Sequence, residues 1–209
     1  MLQREFQTKV IGTHFAGLGY PIYEFEYSER KIGMYLSMQG GPATSVFMEE
    51  TISRGASTFL FFGFCGALNS SLTQGKLIVP SKTFRDEGTS GHYMEKGDWV
   101  DITTCPRLSS IFEELNVPFV TGPVWTTDAP YRETPGMTNR MKSLGCIGVD
   151  MECASIMAVS QFRKIESYQF LFTEDRLDGP SWDKGTMGHM GSSMQQILMK
   201  VALETAAQL

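Results

Sequence analysis

The sequence predicts an α/β fold: a single domain, residues 1–209, in which helices flank a central mixed, largely parallel β-sheet. Three observations support this prediction. β-rich runs alternate with helix-like segments through most of the chain, which is the pattern of α/β proteins. Thr58–Phe62 is an apolar run of the kind found in strands that are buried on both faces. The length of 209 residues suits one hydrophobic core.

The first half of the chain opens with a predicted hairpin. The β-rich runs Tyr23–Tyr27 and Ile32–Met38 are separated by a short polar segment, which predicts a turn between two strands. After a Gly-Gly-Pro turn, Thr44–Ile52 begins with Thr and Ser and carries spaced apolar residues, so we expect a helix there. A further strand is expected at Lys76–Val79, closed by Pro80.

The second half continues the alternation. A long surface loop is expected at Asp86–Asp101, because this stretch is rich in Gly, Ser and charged residues. The remaining predicted strands are Pro118–Trp125, Ile147–Val149 and Gln169–Thr173. The remaining predicted helices are Pro106–Leu115, Met137–Leu144, Glu152–Phe162 and Met194–Ala207. Because α/β sheets bind ligands beyond the carboxyl ends of their strands, the residues that follow these strands are the candidates for function.

The composition excludes several classes of function. The net charge is −5 and Lys and Arg are scattered, so nucleic acid is not an expected partner. The longest apolar stretch, Phe59–Cys65, is too short to span a bilayer, and the N-terminus lacks the apolar core of a secretory signal, so no membrane partner is expected. The four cysteines have neither CxxC spacing nor a nearby His. We therefore expect a reduced, cytoplasmic protein without a metal or a cofactor, and a catalytic thiol remains an alternative.

Acidic residues follow two of the predicted strands. Glu152 follows Ile147–Val149 at the start of a predicted helix, where it either favours the helix dipole or accepts hydrogen bonds from vicinal hydroxyls of a ligand. Asp175 follows Gln169–Thr173, where it either caps a loop or acts as a general acid. The like charge of the neighbouring Glu174 would raise the pKa of one member of the pair. Spacing alone leaves both interpretations of each carboxylate open.

A glycine-containing turn and two arginines are weaker candidates. The apolar strand breaks into Gly63-Phe-Cys-Gly66, where the backbone either approaches a ligand closely or simply turns. Arg30 lies in the hairpin turn, where a solvated charge is the default interpretation. Arg132 either holds an anion or pairs with Glu133.

Several segments together resemble the nucleoside phosphorylase superfamily, which includes purine nucleoside phosphorylases, uridine phosphorylases and methylthioadenosine nucleosidases. The resemblance runs from about residue 20 to about residue 180. Its most specific motifs are Thr126-Thr-Asp-Ala-Pro-Tyr131 and Asp150-Met-Glu152, in this order and spacing. The other matching segments are Gly40-Gly-Pro42, Gly63-Phe-Cys-Gly-Ala-Leu68, Asp86-Glu-Gly-Thr-Ser-Gly-His-Tyr93 and the strand end at Asp175.

The resemblance implies a nucleoside phosphorylase-like fold and cleavage of the N-glycosidic bond between ribose and a base, with a purine favoured. It implies that Glu152 binds ribose hydroxyls, that Met151 lies beneath the sugar and that Asp175 protonates the departing base. Further substrate contacts are implied at Gln39, Cys65, Gly66, Thr127, Pro130 and Tyr131. The resemblance also implies a homo-oligomer built from dimers, in which Arg30 reaches the site of a neighbouring subunit.

The match departs from the family at the phosphate site. Family phosphorylases hold phosphate with an N-terminal glycine-rich loop, arginines and a hydroxyl side chain. This chain is expected to lack the first strand and its phosphate loop, and it carries Phe61 and Phe64 at the matched Arg and hydroxyl positions. The remaining candidates for an anion site are Arg30, Arg85 and Arg132. Phosphate therefore stays open as a co-substrate, and the alternatives are a nucleosidase that uses water or a catalytically weak nucleoside-binding relative.

Overall fold

The computed structural model describes residues 6–189 and 191–209, and its centre is a mixed sheet of six strands. These strands are β4 (Thr58–Ala67), β5 (Leu77–Asp86), β6 (Trp99–Asp101), β7 (Phe119–Thr127), β8 (Gly148–Asp150) and β9 (Glu166–Arg176). Their order is β6-β5-β7-β8-β4-β9, and β5 also pairs with β9, so the sheet closes on itself. Strands β5, β7 and β8 are parallel to one another, as are β4 and β9, and antiparallel pairings join these two groups. The predicted α/β fold with a mixed, largely parallel sheet is confirmed.

A smaller antiparallel sheet comes first in the chain. It consists of β1 (Lys9–Ala16), β2 (Leu18–Tyr27) and β3 (Arg30–Met34). Ser28 and Glu29 make the tight turn between β2 and β3, with φ angles of 48° and 63° in the left-handed region. The predicted hairpin is therefore confirmed, but strand β1 was not predicted. Its register against β2 shifts next to Gly12. This shift interrupts the alternation of apolar and polar residues by which a strand is predicted from sequence.

Helices pack on the closed sheet. They are α1 (Gly41–Ser53), α2 (Ser70–Thr73), α3 (Cys105–Glu114), α4 (Pro135–Ser143), α5 (Cys153–Arg163) and α6 (Ser192–Ala206). Helix α5 is buried along most of its length and packs against α1 and β9, so it is a core element of the fold. No helix among the described residues is both long enough and apolar enough to cross a membrane.

Strands β5 and β4 are longer than the sequence pattern indicates. The prediction closed β5 at Pro80, whereas the strand continues to Asp86. The register of β5 against β7 shifts between Pro80 and Thr83, so the proline lies at an irregularity where a strand tolerates a missing N–H donor. Strand β4 likewise continues past Phe62 to Ala67, which carries its glycines to the carboxyl end of the strand.

Candidate active site

A cavity of about 1390 Å³ opens at the carboxyl ends of β4, β8 and β9 and extends along β3. It brings together most of the residues that the sequence singled out. The predicted residues that line it are Arg30, Gln39, Cys65, Gly66, Pro130, Met151, Glu152 and Asp175. Carboxylates from two strand ends therefore face one space, in the place where α/β sheets bind their ligands.

Glu152 lies at the N-cap of α5, on the cavity wall. Its Oε1 accepts a hydrogen bond of 2.5 Å from the backbone N–H of Gly40. Gly40 has a φ of 94°, a conformation that favours glycine and that aims this N–H at the carboxylate. Burial, followed by the charge of Asp150, raises the pKa of Glu152 to about 7. With Oε1 held by the backbone, Oε2 is the oxygen left to accept a hydrogen bond from a ligand hydroxyl.

Behind Glu152, the buried Asp150 fixes the start of α5. Its Oδ1 accepts a hydrogen bond from the Thr126 hydroxyl at 2.7 Å. Its Oδ2 accepts from the backbone N–H groups of Glu152 and Cys153, at 2.9 and 2.6 Å. Burial raises the pKa of Asp150, and these hydrogen bonds act in the opposite direction. The two most specific sequence motifs thus meet at Asp150, where they hold the backbone of Glu152 in place.

Gln39 and Met151 contact each other on the cavity wall. The Gln39 Nε2 donates to the Met151 Sδ at 3.1 Å. Gln39 precedes Gly40, whose N–H binds the Glu152 carboxylate, and Met151 precedes Glu152 itself. Both residues therefore lie next to this carboxylate. An amide, a soft thioether and a carboxylate therefore form one wall, which suits a ligand with an apolar face and hydroxyl groups at its edge.

Asp175 lies near the end of β9 and only 6% of its surface is exposed. Its Oδ2 accepts a hydrogen bond of 2.7 Å from the Trp182 indole N–H. A Cβ atom on Gly66 would lie 3.2 Å from Asp175 Oδ1, so glycine at this position leaves room for the carboxylate. Burial first, and then the charge of Asp175, raises the pKa of Glu133 to about 7 and raises that of Glu174 as well. Asp175 therefore lies beside two carboxylates that its charge makes harder to ionise.

Two predicted substrate contacts do not line the cavity. Thr127 is buried at the end of β7, where its hydroxyl accepts a hydrogen bond of 3.3 Å from the backbone N–H of Ala129. The side chain of Tyr131 is fully exposed. Thr127 thus shapes the turn that presents Pro130 to the cavity, whereas Tyr131 points away from it.

Two arginines predicted as anion ligands also lie outside the cavity lining. Arg85 is engaged elsewhere, since its Nε donates to the Ser90 hydroxyl at 2.8 Å. Its Nη1 donates to the carbonyl groups of Glu95 and Gly97, at 2.8 and 3.1 Å. Arg132 is exposed at the surface. Arg85 therefore orders the loop after β5, and of the three candidates Arg30 alone lines the cavity.

Aromatic rings occupy the positions at which the family resemblance places phosphate ligands. Phe61 and Phe64 both line the cavity. Phe61 stacks on Phe59, with ring centroids 5.8 Å apart, while Phe64 is 46% exposed. The cationic side chains along the cavity are Arg30, Lys31 and Arg54. Positive charge thus lies on β3 and at the end of α1, whereas β4 presents aromatic surface.

All four cysteines are buried thiols. Burial and neighbouring carboxylates raise the pKa of Cys65 and of Cys153, which disfavours the nucleophilic thiolate. The alternative of a catalytic thiol therefore gains no support. Within residues 6–189 and 191–209, no group of three or more His, Cys, Asp or Glu side chains is placed to hold a metal ion.

The sequence interpretation missed Glu133 and Trp182. Glu133 lines the cavity and follows Pro130 by three residues, within the segment that the resemblance assigns to the base pocket, so its carboxylate could have been noticed. Trp182 lies in a segment without periodicity, and no local pattern indicates that its indole reaches the end of β9. The fold of the loop brings the Trp182 indole to the end of β9.

Comparison with known families places these features in context. Residues 3–208 match the family model described as the phosphorylase superfamily. The chain belongs to this superfamily. The match spans nearly the entire sequence, including both of the carboxylate-bearing strand ends, so membership does not depend on one motif.

Individual members of the superfamily are similar at low identity. A guanosine phosphorylase of Halorubrum lacusprofundi is 26% identical over 144 residues, which is 68% of this chain and 60% of that protein. A purine nucleoside phosphorylase DeoD-type 2 of Aliivibrio fischeri is 25% identical over 191 residues, covering 90% of this chain and 80% of that protein. The chain thus spans about 60% of the length of the first relative.

A solved structure has the same fold. The crystal structure of purine nucleoside phosphorylase from Toxoplasma gondii in complex with immucillin-H superposes with a TM-score of 0.79 at 22% sequence identity. The superposition covers 94% of this chain and 82% of that one. The closed mixed sheet described above is therefore the fold of this superfamily.

Proposed function

We propose that this chain cleaves the N-glycosidic bond of a nucleoside, with a purine favoured. The observation that carries the proposal is that Glu152 and Asp175 line one cavity at the ends of β8 and β9, the two strands that flank β4. Each carboxylate has one oxygen held by a defined donor, so each presents its other oxygen in a fixed direction. The guanosine and purine nucleoside phosphorylases among the relatives support the choice of a purine.

Glu152 binds the sugar in this proposal. Ionised, its free oxygen accepts hydrogen bonds from the vicinal ribose hydroxyls, and Met151 and Gln39 pack beside the ring. Binding the hydroxyls orients the anomeric carbon, which lowers the entropic part of the barrier. Because the pKa of Glu152 is raised to about 7, sugar binding weakens as the pH falls below neutrality.

Asp175 acts on the base. As the C1′–N bond breaks, the bonding electron pair moves to the base, and Asp175 donates a proton to a ring nitrogen. A phosphate oxygen, or the oxygen of a water that loses a proton to solvent, forms the new bond to C1′, which carries oxocarbenium character in the transition state. A positioned general acid contributes about 10²–10⁴-fold to the rate of such a step.

The region that would bind the nucleophile differs most from the pattern of the family. A phosphate dianion needs several cationic or N–H partners, and Phe61 and Phe64 offer neither. Arg30 lines the cavity and supplies one such partner. We therefore propose that phosphate, as co-substrate, binds with half-saturation in the millimolar range, on the order of −4 kcal/mol. The same two phenylalanines favour the second candidate function, a nucleosidase that uses water. Neither reaction requires an organic cofactor.

Base release from a panel of nucleosides tests the proposal. Inosine, adenosine, guanosine and uridine are incubated with the protein at increasing phosphate concentrations, and base and sugar products are separated by chromatography. We expect a purine base to be released, with weak dependence on phosphate. The Asp175→Asn variant, prepared identically, controls for contaminating phosphorylase activity.

The sugar product separates the alternatives. Ribose 1-phosphate with tight, saturable phosphate dependence would show that the anion site is stronger than the aromatic positions indicate. Free ribose in the absence of phosphate would make the protein a nucleosidase. Nucleoside binding without base release from any substrate would contradict the catalytic proposal and leave a nucleoside-binding protein.

A further inference from the structure

Trp182 has an unusual combination of exposure and contact. Its side chain is 59% exposed, so it contributes little to the hydrophobic core. Its indole N–H nevertheless donates to Asp175 Oδ2 at 2.7 Å, and only 6% of the surface of Asp175 is exposed. Trp182 thus uses its single N–H donor to bind a buried carboxylate that lines the cavity. Packing does not explain this role, because most of the side chain is exposed.

The loop that carries Trp182, residues 177–185, is folded back onto β9. Arg176 and Asp183 exchange two backbone hydrogen bonds, of 2.8 and 3.0 Å, on either side of it. The Thr186 N–H donates to the carbonyl of Glu174 at 2.9 Å. Gly185 has a φ of 50°, and any Cβ atom there would collide with the same carbonyl of Glu174. The loop is therefore anchored at its closing end, which places Trp182 over the end of β9.

The two oxygens of Asp175 consequently have different surroundings. Oδ2 is occupied by the indole, while Oδ1 lies on the side of Gly66, which lines the cavity. A neutral carboxylic acid that accepts a hydrogen bond at Oδ2 carries its proton on Oδ1. The proton therefore faces the cavity, in position to reach the base of a bound nucleoside.

We infer that Trp182 is a positioning residue for the general acid: its indole N–H holds Asp175 Oδ2, directs Oδ1 to the substrate base and stabilises the carboxylate that remains after proton transfer. This inference rests on the proposed function. It assigns the loop 177–185 to the machinery of proton transfer, although the loop contributes no carboxylate to the cavity lining.

The surroundings of Asp175 explain why a single neutral donor matters. The titratable groups that face it are Glu133 before α4, Glu174 on β9 and Cys65 on β4. Negative charge on either glutamate opposes a negative charge on Asp175, whereas burial keeps the Cys65 thiol protonated. Among the described residues, the Trp182 indole is the side-chain donor in contact with this carboxylate. Removing it leaves the anion with like charges nearby and no compensating hydrogen bond, so the pKa of Asp175 should rise.

The experiment compares Trp182→Phe with Trp99→Phe. Both substitutions remove an indole, but Trp99 lies on β6, packed edge-on against Phe84 and under Lys82, away from the cavity. We expect Trp182→Phe to lower kcat by about ten- to a hundredfold, because hydrogen bonds to charged groups are of that strength, while KM changes by less than about threefold. The limb of the pH–kcat profile on which activity falls with rising pH should move to higher pH. Trp99→Phe should match the wild type, and an unchanged kcat and pH profile in Trp182→Phe would overturn the inference.

A second readout does not depend on nucleoside cleavage. The carboxyl carbon of Asp175, identified by its absence from the NMR spectrum of Asp175→Asn, is titrated in the wild type and in both Trp variants. We expect its pKa to be higher in Trp182→Phe alone. An identical titration in all three proteins would refute the positioning role, even if base release is observed. A raised pKa without base release from any nucleoside would instead support the contact and refute the proposed function.

Discussion

At the scale of single residues, the two cavity carboxylates are held in different ways. Glu152 is fixed by a backbone N–H of Gly40, at the start of a buried helix. Asp175 is fixed by the side chain of Trp182, which lies in an exposed loop. The Glu152 end of the cavity is thus tied to the buried core, whereas the Asp175 end depends on an exposed loop. Substitutions at the two ends should therefore have different kinetic signatures.

The first prediction separates these signatures. Asp175→Asn keeps an acceptor for the indole but cannot donate the proton, so kcat should fall by about 10²–10⁴-fold while KM stays nearly unchanged. Glu152→Ala removes contacts made in both the ground state and the transition state, so it should raise KM and lower kcat together. Steady-state kinetics on the best purine nucleoside measures both. Wild-type turnover by Asp175→Asn would rule out the general-acid role.

The second prediction concerns pH and Glu133. The pKa of Glu133 rises from 4.5 to about 7, through burial first and then through the charge of Asp175. Between these pH values the folded protein retains a proton that the unfolded chain releases, so the free energy of unfolding falls as the pH rises through this window. Glu133→Gln removes this proton uptake. Its Tm should therefore fall less than the wild-type Tm between about pH 5 and about pH 8.

The control for this prediction is Glu113→Gln, on the exposed face of α3. Its Tm should follow the wild-type pH dependence, because an exposed carboxylate gains little from neutralisation. Calorimetry or circular dichroism at both pH values gives the comparison. Parallel curves for Glu133→Gln and the wild type would mean that Glu133 is ionised in the folded protein.

The sequence predicted the two cavity carboxylates more successfully than the residues that surround them. Glu152 and Asp175 could be proposed because each follows an apolar strand, and strand ends are where such sheets place function. Thr127 and Tyr131 belong to the same motif as Pro130, but the short turn after β7 buries one and exposes the other. Spacing along a chain does not fix the direction of side chains in such a turn. The tertiary contact of Trp182 lay beyond any local pattern.

At the scale of elements, the motif that begins at Asp86 holds the walls of the site together. Asp86 accepts a hydrogen bond from the Trp125 indole at 3.0 Å, which joins β5 to β7. Glu87 accepts from the Ser155 hydroxyl at 2.8 Å, which joins the loop to α5. The backbone N–H of Gly88 donates to Asp128 at 2.9 Å. This motif therefore joins the elements that surround the cavity without contributing to its lining.

The third prediction tests the contact between α1 and α5. A Cβ atom on Gly41, at the start of α1, would collide with the Ser155 hydroxyl on α5. Because Ser155 also holds Glu87, Gly41→Ala forces apart three elements that surround the cavity. We expect the free energy of unfolding to fall by about 1–3 kcal/mol, as overpacking of a core usually does. Denaturant titration measures it.

Gly136→Ala is the matched control. Gly136 lies in the first turn of α4, and a Cβ atom there meets no neighbour within 4 Å. Alanine at an open helical position should leave stability unchanged or raise it by up to about 1 kcal/mol. Equal losses in both variants would mean that the start of α1 is free to shift.

Most elements could be located from the sequence, but their ends could not. The hairpin and the helix Met194–Ala207 were found within a few residues, because turn residues and apolar spacing mark them. Pro80 misled the prediction because it lies at an irregularity inside β5. The closure of the sheet through β5 and β9 depends on pairing between distant segments, which periodicity does not encode.

At the scale of the whole molecule, the small sheet presents apolar side chains to solvent. Val10, Ile11, Phe15 and Leu18 are 55, 49, 75 and 71% exposed. Large apolar side chains exposed together on one small sheet are typical of an interaction site. We propose that this sheet forms the interface of a homodimer, in which the same surface of two copies meets around a twofold axis.

The fourth prediction is that Phe15→Asp disrupts this dimer. Light scattering should show a mass above 23.3 kDa for the wild type and a shift towards the monomer for Phe15→Asp. Phe162→Asp, on α5 and 54% exposed, is the control for adding a charge at an exposed phenylalanine and should leave the mass unchanged. A wild-type monomer at micromolar concentration would contradict the proposal.

The last prediction asks which subunit uses Arg30. Arg30 lies at the exposed hairpin turn and lines the cavity of its own subunit, and the family resemblance assigns it to a neighbouring site. Arg30→Ala should lower activity by about tenfold through loss of a charged contact. When Arg30→Ala and Asp175→Asn subunits are mixed and reassembled, a mixed dimer contains one site with both residues intact if Arg30 acts across the interface. Half of the dimers are mixed and each has one such site, so about a quarter of wild-type activity should return. If Arg30 serves its own subunit, mixing restores nothing, because every site then lacks one of the two residues.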